Sequence, residues 1–272
     1  MDAASYLKEG RLEECLTALM DAIRQKPEDP SLRVFLFQLA SVLGQWDRSL
    51  TQLRLVETMN PETEWLGKAF QQVLQAEFVR SQVFAGKMAP LLFGEPEEWM
   101  GWFIQALKLA SNGNLAEAKA LREQALESVP ANPGTVEGRP FEWIMDADPR
   151  LGPFLEVIIG GSYYWAPFSR ISQIRAEKPN DLRDLVWMGA SFTWTNGGAM
   201  AGHIPVRYPG AELQASNELK LARRTEWVNQ SDGSQFGLGQ RLLATDKEDI
   251  PLLELRHLEF VAPPGASLPC PT

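Results

Sequence analysis

The feature that most constrains the fold is a repeated spacing of glycine and proline in the first half of the chain. Gly44 lies 34 residues after Gly10, and Pro61 lies 34 residues after Pro27. Gly113 follows Gly44 by 69 residues, which is twice 34 with one residue inserted. Because glycine commonly ends a helix and proline cannot continue one, this spacing predicts a recurring unit of helix, turn, helix and stop.

The segments between these positions have the apolar spacing of amphipathic helices. In the second helix the apolar positions are Leu12, Cys15, Leu16, Leu19, Met20 and Ile23. Paired helices with a period of 34 are typical of tetratricopeptide-type repeats, in which each hairpin buries its apolar face by stacking on its neighbours. Residues 1–129 are therefore predicted to form a tetratricopeptide-like α-superhelix of about seven helices, with a degenerate repeat that reads as one long helix over 62–85.

After the repeats the pattern changes to short strands. Residues 130–140 contain three prolines and two glycines and are predicted to be a linker. Strand-like apolar runs follow, interrupted by a short helix and a glycine-rich loop; the strands are expected at 171–176, 185–195, 203–208 and 250–260, the helix at 212–224 and the loop at 231–239. Residues 141–261 are thus predicted to form a compact β-rich domain, α+β and barrel-like, and residues 262–272 a disordered tail.

Charge and composition exclude several classes of partner. The net charge of −9 argues against nucleic acid and anionic membranes, because both require a positive surface. The chain has two histidines and two cysteines, so no metal or other cofactor is expected. Nothing resembles a secretory leader or a membrane-spanning segment, which predicts a cytoplasmic protein.

The stretch that joins the two predicted domains carries the densest polar chemistry. It holds Trp143, Asp146, Asp148 and Arg150, and Arg183 follows later in the chain. The two aspartates could act as an acid–base pair or hold a cation, but two acids beside Asp148-Pro149 and an arginine also suit a turn held by ion pairs. We favour the second reading and predict that these five residues form an inter-domain seam. The alternative is an enzyme or ligand-binding protein with its site between the domains.

Motifs that support catalysis are missing from the sequence. The segment Gly237–Arg241 resembles half of a phosphate-binding loop, but it lacks the lysine and serine or threonine of such loops and is read as an ordinary loop. The chain has no GxSxG, no HExxH and no Cys–His nucleophile pattern. The sequence therefore gives no positive support for an enzyme.

The inner face of the repeats is a candidate binding groove. Alignment of the repeat units places Val34 and Gln38 on the first helix of one unit, and Phe103 and Leu107 at the corresponding positions of another. The lysines, arginines and asparagines that clamp a peptide C-terminus in some repeat proteins are absent there. An apolar groove suits the apolar face of an amphipathic helix, although Phe103 and Leu107 could equally pack against the degenerate hairpin of the repeats.

Six motifs, in this order, together carry a family resemblance. They are Trp143–Ile158, Tyr163–Phe168, Asp181–Trp187, Pro205–Gly210, Gly237–Arg241 and Pro251–Arg256. With these motifs and the N-terminal repeats, the chain resembles the ImpE family, also called TagJ or SciE, an accessory component of some bacterial type VI secretion systems. The resemblance covers nearly the whole chain up to Val261.

The resemblance implies a non-enzymatic cytoplasmic adaptor. Members of the family look like binders of the small subunit of the contractile sheath, through the N-terminal helix of that subunit. They are also linked to ClpV, the AAA+ ATPase that recycles contracted sheath. The resemblance provides no catalytic residues and no residue-level binding motif.

Overall fold

The computed structural model describes residues 1–59 and 61–261, with backbone only for 61–63; the predicted tail at 262–272 lies outside the described residues. Up to residue 129 the described chain forms seven helices. They are α1 Ala3–Lys8, α2 Leu12–Gln25, α3 Pro30–Val42, α4 Trp46–Met59, α5 Pro61–Phe84, α6 Glu98–Ser111 and α7 Leu115–Leu126. The helical N-terminal half is confirmed, and its tetratricopeptide character stays a prediction.

The repeated glycines end helices, as their spacing predicted. Gly44 follows α3 with a φ of +67°, and Gly113 follows α6 with a φ of +84°. These are left-handed conformations, which glycine adopts at little cost and other residues rarely adopt. Each is followed within two residues by the start of the next helix, so α3 with α4 and α6 with α7 form helical hairpins.

The rest of the chain is mainly strand. The strands are β1 Leu91–Leu92, β2 Gly134–Val136, β3 Arg139–Phe141, β4 Ile144–Asp146, β5 Phe154–Ile159, β6 Ser162–Pro167, β7 Ile171–Ala176, β8 Trp187–Trp194, β9 Ala199–Pro205, β10 Thr225–Asn229, β11 Gln235–Gly239, β12 Leu242–Thr245, β13 Asp249–Pro251 and β14 His257–Phe260. A single-turn helix, α8 Asn217–Lys220, precedes β10.

The largest sheet has nine strands in the order β1-β6-β5-β9-β8-β7-β14-β2-β3. Its neighbours pair antiparallel except β1 and β6, which pair parallel. A three-stranded sheet, β13-β12-β4, and the hairpin β10-β11 complete the β structure. The β-rich prediction is confirmed, but the barrel-like prediction is wrong, because the large sheet is open, with β1 and β3 as separate edges.

Several predictions of individual elements are wrong. Residues 130–140, predicted to be a linker, contain β2 and most of β3. Pro140 is tolerated there because β3 is an edge strand, where an unpaired position needs no N–H group. The predicted helix at 212–224 is a 3₁₀ turn and α8, the loop at 231–239 contains β11, and the strand at 250–260 is divided into β13 and β14.

The large sheet is covered on both faces, which explains the unbroken apolar run in β5. Phe154 and Ile158 belong to the core shared with the helices, whereas Leu155, Val157 and Ile159 belong to the core on the opposite face. This is the period-two alternation of a strand with both faces buried. The helical half therefore packs directly on the sheet.

Candidate functional site: the helix–sheet interface

The predicted groove residues on α6 lie under the protein's own sheet. Phe103 and Leu107 are 1% and 4% exposed. The ring of Phe103 lies 5.7 Å from that of Phe154 in β5 and 6.3 Å from that of Trp99, measured between centroids. The two residues are buried, but Phe103 packs against the sheet, a partner that neither interpretation of the sequence expected.

The groove residues on α3 also contact the protein's own chain. Gln38 is buried, and its Oε1 accepts a hydrogen bond of 3.2 Å from the N–H of Leu182, in the turn that precedes β8. Val34 is half-buried and packs against the shared core. The inner groove is therefore not open in this structure, because the C-terminal half occupies it. This contact between the two halves is not predictable from the repeat pattern, which describes the helices alone.

A chain of buried ion pairs crosses the interface between α5 and the sheet. Arg80 of α5 donates from Nε to Oε1 of Glu156 in β5 at 2.6 Å, and from Nη2 to Oε2 at 3.1 Å. Its Nη1 lies 2.9 Å from Oε1 of Glu77, and its Nη2 also donates to the carbonyl of Arg207 at 2.8 Å. Arg80 thus joins the helical half to β5 and to the segment after β9.

The same ionic chain continues inside the C-terminal half. Arg241 places Nη1 3.1 Å from Oε2 of Glu156 and donates from Nη2 to Oδ2 of Asp146 at 2.6 Å. The hydroxyl of Tyr163 donates to Oε1 of Glu156 at 2.6 Å, and it accepts a hydrogen bond of 2.7 Å from Nε1 of Trp165. Glu156 is therefore surrounded by two guanidinium groups and a phenol.

Glu156 and Asp146, the two buried carboxylates that contact Arg241, have opposite pKa shifts. Burial raises the pKa of Glu156, but Arg80 and Arg241 outweigh it, so the pKa lies below its usual value. For Asp146, burial is the larger effect, and neighbouring Asp148 adds to it; together they outweigh Arg241 and raise the pKa to about 6. Burial and then Glu156 raise the pKa of Tyr163, which keeps its hydroxyl protonated as a donor.

Asp148 and Arg150 form a second polar cluster that holds the hairpin β10-β11. Asp148 accepts hydrogen bonds from Nη2 of Arg150 at 2.6 Å and from the backbone N–H of Gly237 in β11 at 2.8 Å. The guanidinium of Arg150 lies 4.5 Å from the ring centre of Phe236 and 5.5 Å from that of Phe84 at the end of α5. The pair thus joins a turn, a hairpin and a helix end.

The structure brings together only some of the residues predicted as a seam. Asp146 and Asp148 are adjacent, since Oδ1 of Asp146 accepts from the N–H of Asp148 at 2.9 Å. Arg183 pairs elsewhere, with Asp181 at 2.5 Å and Asp184 at 3.7 Å. Trp143 is 38% exposed in the segment between β3 and β4.

The interpretation as a site between the domains loses its motivation, because Asp146, Asp148, Arg150 and Arg183 all make ion pairs with other side chains. That these residues form an inter-domain seam stays a prediction, which the stability of variants that lack them would test.

Sequence reasoning missed the interface residues that carry most of the charge. These are Glu77, Arg80, Glu156, Arg207 and Arg241. One signal was present: Glu156 interrupts the run Phe154–Ile159, which is otherwise apolar and buried on both faces. A charge in such a strand requires a buried partner. The partner itself could not be read from the pattern, since Arg80 is 76 residues away.

Two aromatic side chains of α5 are exposed. Trp65 and Phe78 are 63% and 67% exposed. They are 13 positions apart on α5, which corresponds to roughly 20 Å along the helix axis and roughly 140° around it. Two exposed aromatic side chains on one helix are candidates for contact with a partner.

The described residues contain neither a metal-binding cluster nor a membrane span. Over 1–59 and 61–261, no group of three or more His, Cys, Asp or Glu side chains is arranged to hold a metal ion. No helix in this part of the chain is long and apolar enough to cross a membrane.

Comparisons with known proteins agree with the fold and bear on the function. Residues 138–259 match the family described as ImpE protein. Over 260 residues the chain is 41% identical to the type VI secretion system accessory component TagJ of Pseudomonas aeruginosa, covering 96% of this chain and 91% of that protein. The crystal structure of a protein from Vibrio parahaemolyticus has the same fold, with a TM-score of 0.87 at 24% identity, over 95% of this chain and 97% of the other.

Proposed function

Because the chain belongs to the ImpE family, we propose that it is a non-enzymatic adaptor of a type VI secretion system, which binds the N-terminal amphipathic helix of the small contractile-sheath subunit. The family membership expected from the six motifs is confirmed. The observation that carries the proposal is the extensive identity to a protein named as an accessory component of that system. The adaptor acts in the cytoplasm and is linked to sheath recycling by the ATPase ClpV.

The face of α5 that carries Trp65 is the proposed docking surface. The inner faces of α3 and α6 are covered by the sheet, so a partner helix would have to displace buried side chains to reach them. Trp65 is already exposed, whereas Phe78 projects roughly 140° away around the axis of α5 and belongs to another face. An amphipathic helix that lies along the Trp65 face can place an apolar residue against its ring.

The test is a calorimetric titration with the sheath small subunit and with its isolated N-terminal helix. We expect Trp65→Ala to weaken binding about 30-fold, because truncation of a central aromatic contact costs about 2 kcal/mol or more, and Phe78→Ala, on another face of α5, to leave the affinity unchanged. Leu213→Ala is the matched control: it removes an exposed apolar side chain from the 3₁₀ turn at 211–213 and should leave the affinity unchanged.

Three outcomes are informative. No binding of the subunit to the wild-type protein at high micromolar concentration overturns the proposed function. Tight binding that is unaffected by Trp65→Ala keeps the function but moves the docking surface away from that face of α5. For ClpV, retention on the immobilised protein without sheath subunit supports a direct link, whereas retention only in its presence makes the link indirect.

A further inference from the structure

A cleft of about 330 Å³ opens between α5 and the large sheet. Its wall on the helix side includes Gln72 and Val73, and its floor includes Ile158 of β5 and His203 of β9. Glu177, just after β7, completes the rim. The cleft therefore combines an apolar floor with an amide, an imidazole and a carboxylate.

Gly189 leaves room for the side chain of Glu177 beside the strand that carries His203. Gly189 of β8 pairs directly with His203 of β9, and its carbonyl accepts a hydrogen bond of 2.9 Å from the N–H of Glu177. A Cβ atom on Gly189 would lie 3.2 Å from Oε2 of Glu177. Any other residue at this position would therefore crowd the Glu177 carboxylate, which lies over the glycine at the rim of the cleft.

The polar side chains of the cleft have no partner in the described part of the chain. Gln72 and Glu177 are exposed and His203 is half-buried. Within residues 1–59 and 61–261, the side chains of these three residues make no hydrogen bond or ion pair with the protein, and the ring of His203 makes an edge contact with Phe70, at 5.4 Å between centroids. The amide oxygen of Gln72, the carboxylate of Glu177 and a ring nitrogen of His203 are therefore available to accept hydrogen bonds from a ligand.

The charge of the cleft is negative. Arg183 approaches the same region, with its guanidinium carbon 5.0 Å from the ring centre of Phe70, but it is ion-paired with Asp181 and Asp184. Burial, and then Arg183, lower the pKa of His203, so its ring is neutral at pH 7 and adds no positive charge. Glu177 is left as the unpaired charge.

We propose that this cleft receives a basic side chain, lysine or arginine, from the partner helix that binds α5. Its methylene stem would lie on Val73 and Ile158, and its ammonium or guanidinium group would donate to Glu177 and to the other acceptors. The identification of the partner rests on the proposed function, whereas the cation preference of the cleft rests on the geometry alone.

The cleft is continuous with the aromatic docking surface. Trp65, Ala69 and Gln72 lie at positions i, i+4 and i+7 of α5 and therefore share one stripe of the helix. Ala69 and Gln72 line the cleft, so the exposed ring of Trp65 lies next to its mouth. A helix anchored on Trp65 can thus insert a basic residue one or two turns away from its apolar anchor.

The first measurement uses the full-length protein and the sheath small subunit. Glu177→Gln should weaken binding about tenfold, because the cation loses a charged acceptor. Glu117→Gln, which removes an exposed carboxylate from α7, should not change the affinity. Replacing each lysine and arginine of the partner helix by methionine should identify one position whose effect is not additive with Glu177→Gln.

The second measurement does not depend on the sheath subunit. N-acetyl-arginine amide at millimolar concentration should shift the NMR signals of the His203 ring and the Trp65 indole in the wild-type protein, and not in Glu177→Gln. If these signals do not move, or if Glu177→Gln binds the subunit as tightly as wild type, the cleft proposal is overturned and the proposed function stands. If they move while the subunit fails to bind, the cleft proposal is supported and the proposed function fails.

Discussion

At the scale of single residues, Asp146 and Glu156 show that two buried carboxylates in contact with the same arginine can have opposite pKa shifts. Both contact Arg241, but Glu156 also pairs with Arg80, whereas Asp146 has Asp148 beside it. Glu156 consequently keeps its charge, with a pKa below the usual 4.5, and Asp146 binds a proton more tightly than an exposed aspartate does. Each shift links folding stability to pH, with opposite sign.

The contributions of Glu156 and Asp146 to folding stability change over different pH ranges. For Glu156 the contribution to stability is present above pH 4.5 and is lost as the pH falls through the folded-state value. For Asp146, whose pKa rises from 3.8 to about 6, the proton stabilises the folded state below pH 3.8, and this stabilisation is lost as the pH rises through about 6. A shift of that size corresponds to up to about 3 kcal/mol.

We therefore predict that Asp146→Asn flattens the pH dependence of stability between pH 4.5 and 6.5. Asparagine cannot release a proton, so the variant should not show the loss of free energy of unfolding that Asp146 causes in the wild type. Urea unfolding at several pH values measures this, and the titration of His203, common to both proteins, cancels in the difference. An equal slope of the free energy of unfolding against pH in the two proteins would contradict the prediction. So would an NMR titration in which the carboxyl carbon of Asp146 titrates below pH 4.

At the scale of elements, Arg207 shows how a strand segment completes a helix. The last carbonyls of a helix have no partner within the helix. After β9, Arg207 donates from Nη1 to the carbonyl of Val42 at 2.7 Å and from Nη2 to that of Ser41 at 3.1 Å, both in the last turn of α3. Its Nη1 also donates to the carbonyl of Lys220 in α8 at 2.8 Å. The cation lies at the negative end of the helix dipole.

We predict that Arg207→Met lowers the free energy of unfolding by about 3 kcal/mol, because it removes a buried cation and leaves the carbonyls of Val42 and Lys220 without its hydrogen bonds, whereas the Ser41 carbonyl keeps the N–H of Gly44. Methionine retains much of the side-chain volume, so the loss reports mainly on hydrogen bonding. Urea unfolding followed by circular dichroism measures the change. Arg24→Met is the control, since Arg24 forms an exposed ion pair on α2 and its loss should cost less than about 1 kcal/mol. Equal effects of the two substitutions would contradict this role for Arg207.

The elements differ in how far the sequence predicts them. Strand β7 occupies the predicted 171–176, and the helices follow the spacing of Gly10, Gly44 and Gly113, because those signals are local. Strands β2 and β3 were not predicted, because β2 pairs with β14, more than 100 residues away, and β3 pairs with β2 in a segment of unfavourable local composition. The buried ion pairs are not predictable from local sequence either, because their partners are far apart in the chain: Arg241 is 95 residues from Asp146.

At the scale of the whole molecule, the helical half and the sheet share one hydrophobic core. Phe37 and Phe70 from the helices belong to the same buried cluster as Phe154, Trp165 and Trp187 from the sheet. This shared core is why the candidate groove could not be judged from the repeats alone. A repeat surface that would be open in isolation is occupied by the protein's own second half.

We predict that the full-length protein unfolds in a single cooperative transition and that a fragment of residues 1–129 has no cooperative transition of its own. The fragment would expose Phe103, Leu107 and their neighbours, which are buried only when the sheet is present. Differential scanning calorimetry of both chains tests this. Two separated transitions in the full-length protein, or a fragment that melts cooperatively, would show instead that the predicted division at 129 separates two independent folding units.

The cap on α3 has a consequence for synthesis on the ribosome. Arg207 and the Val42 carbonyl that it binds are separated by 165 residues. At about 5–20 residues per second, the ribosome needs on the order of ten seconds to add them. During that interval the helical half emerges with an open apolar face and an uncapped helix end, so nascent chains of this protein should depend on chaperones until the sheet has been translated.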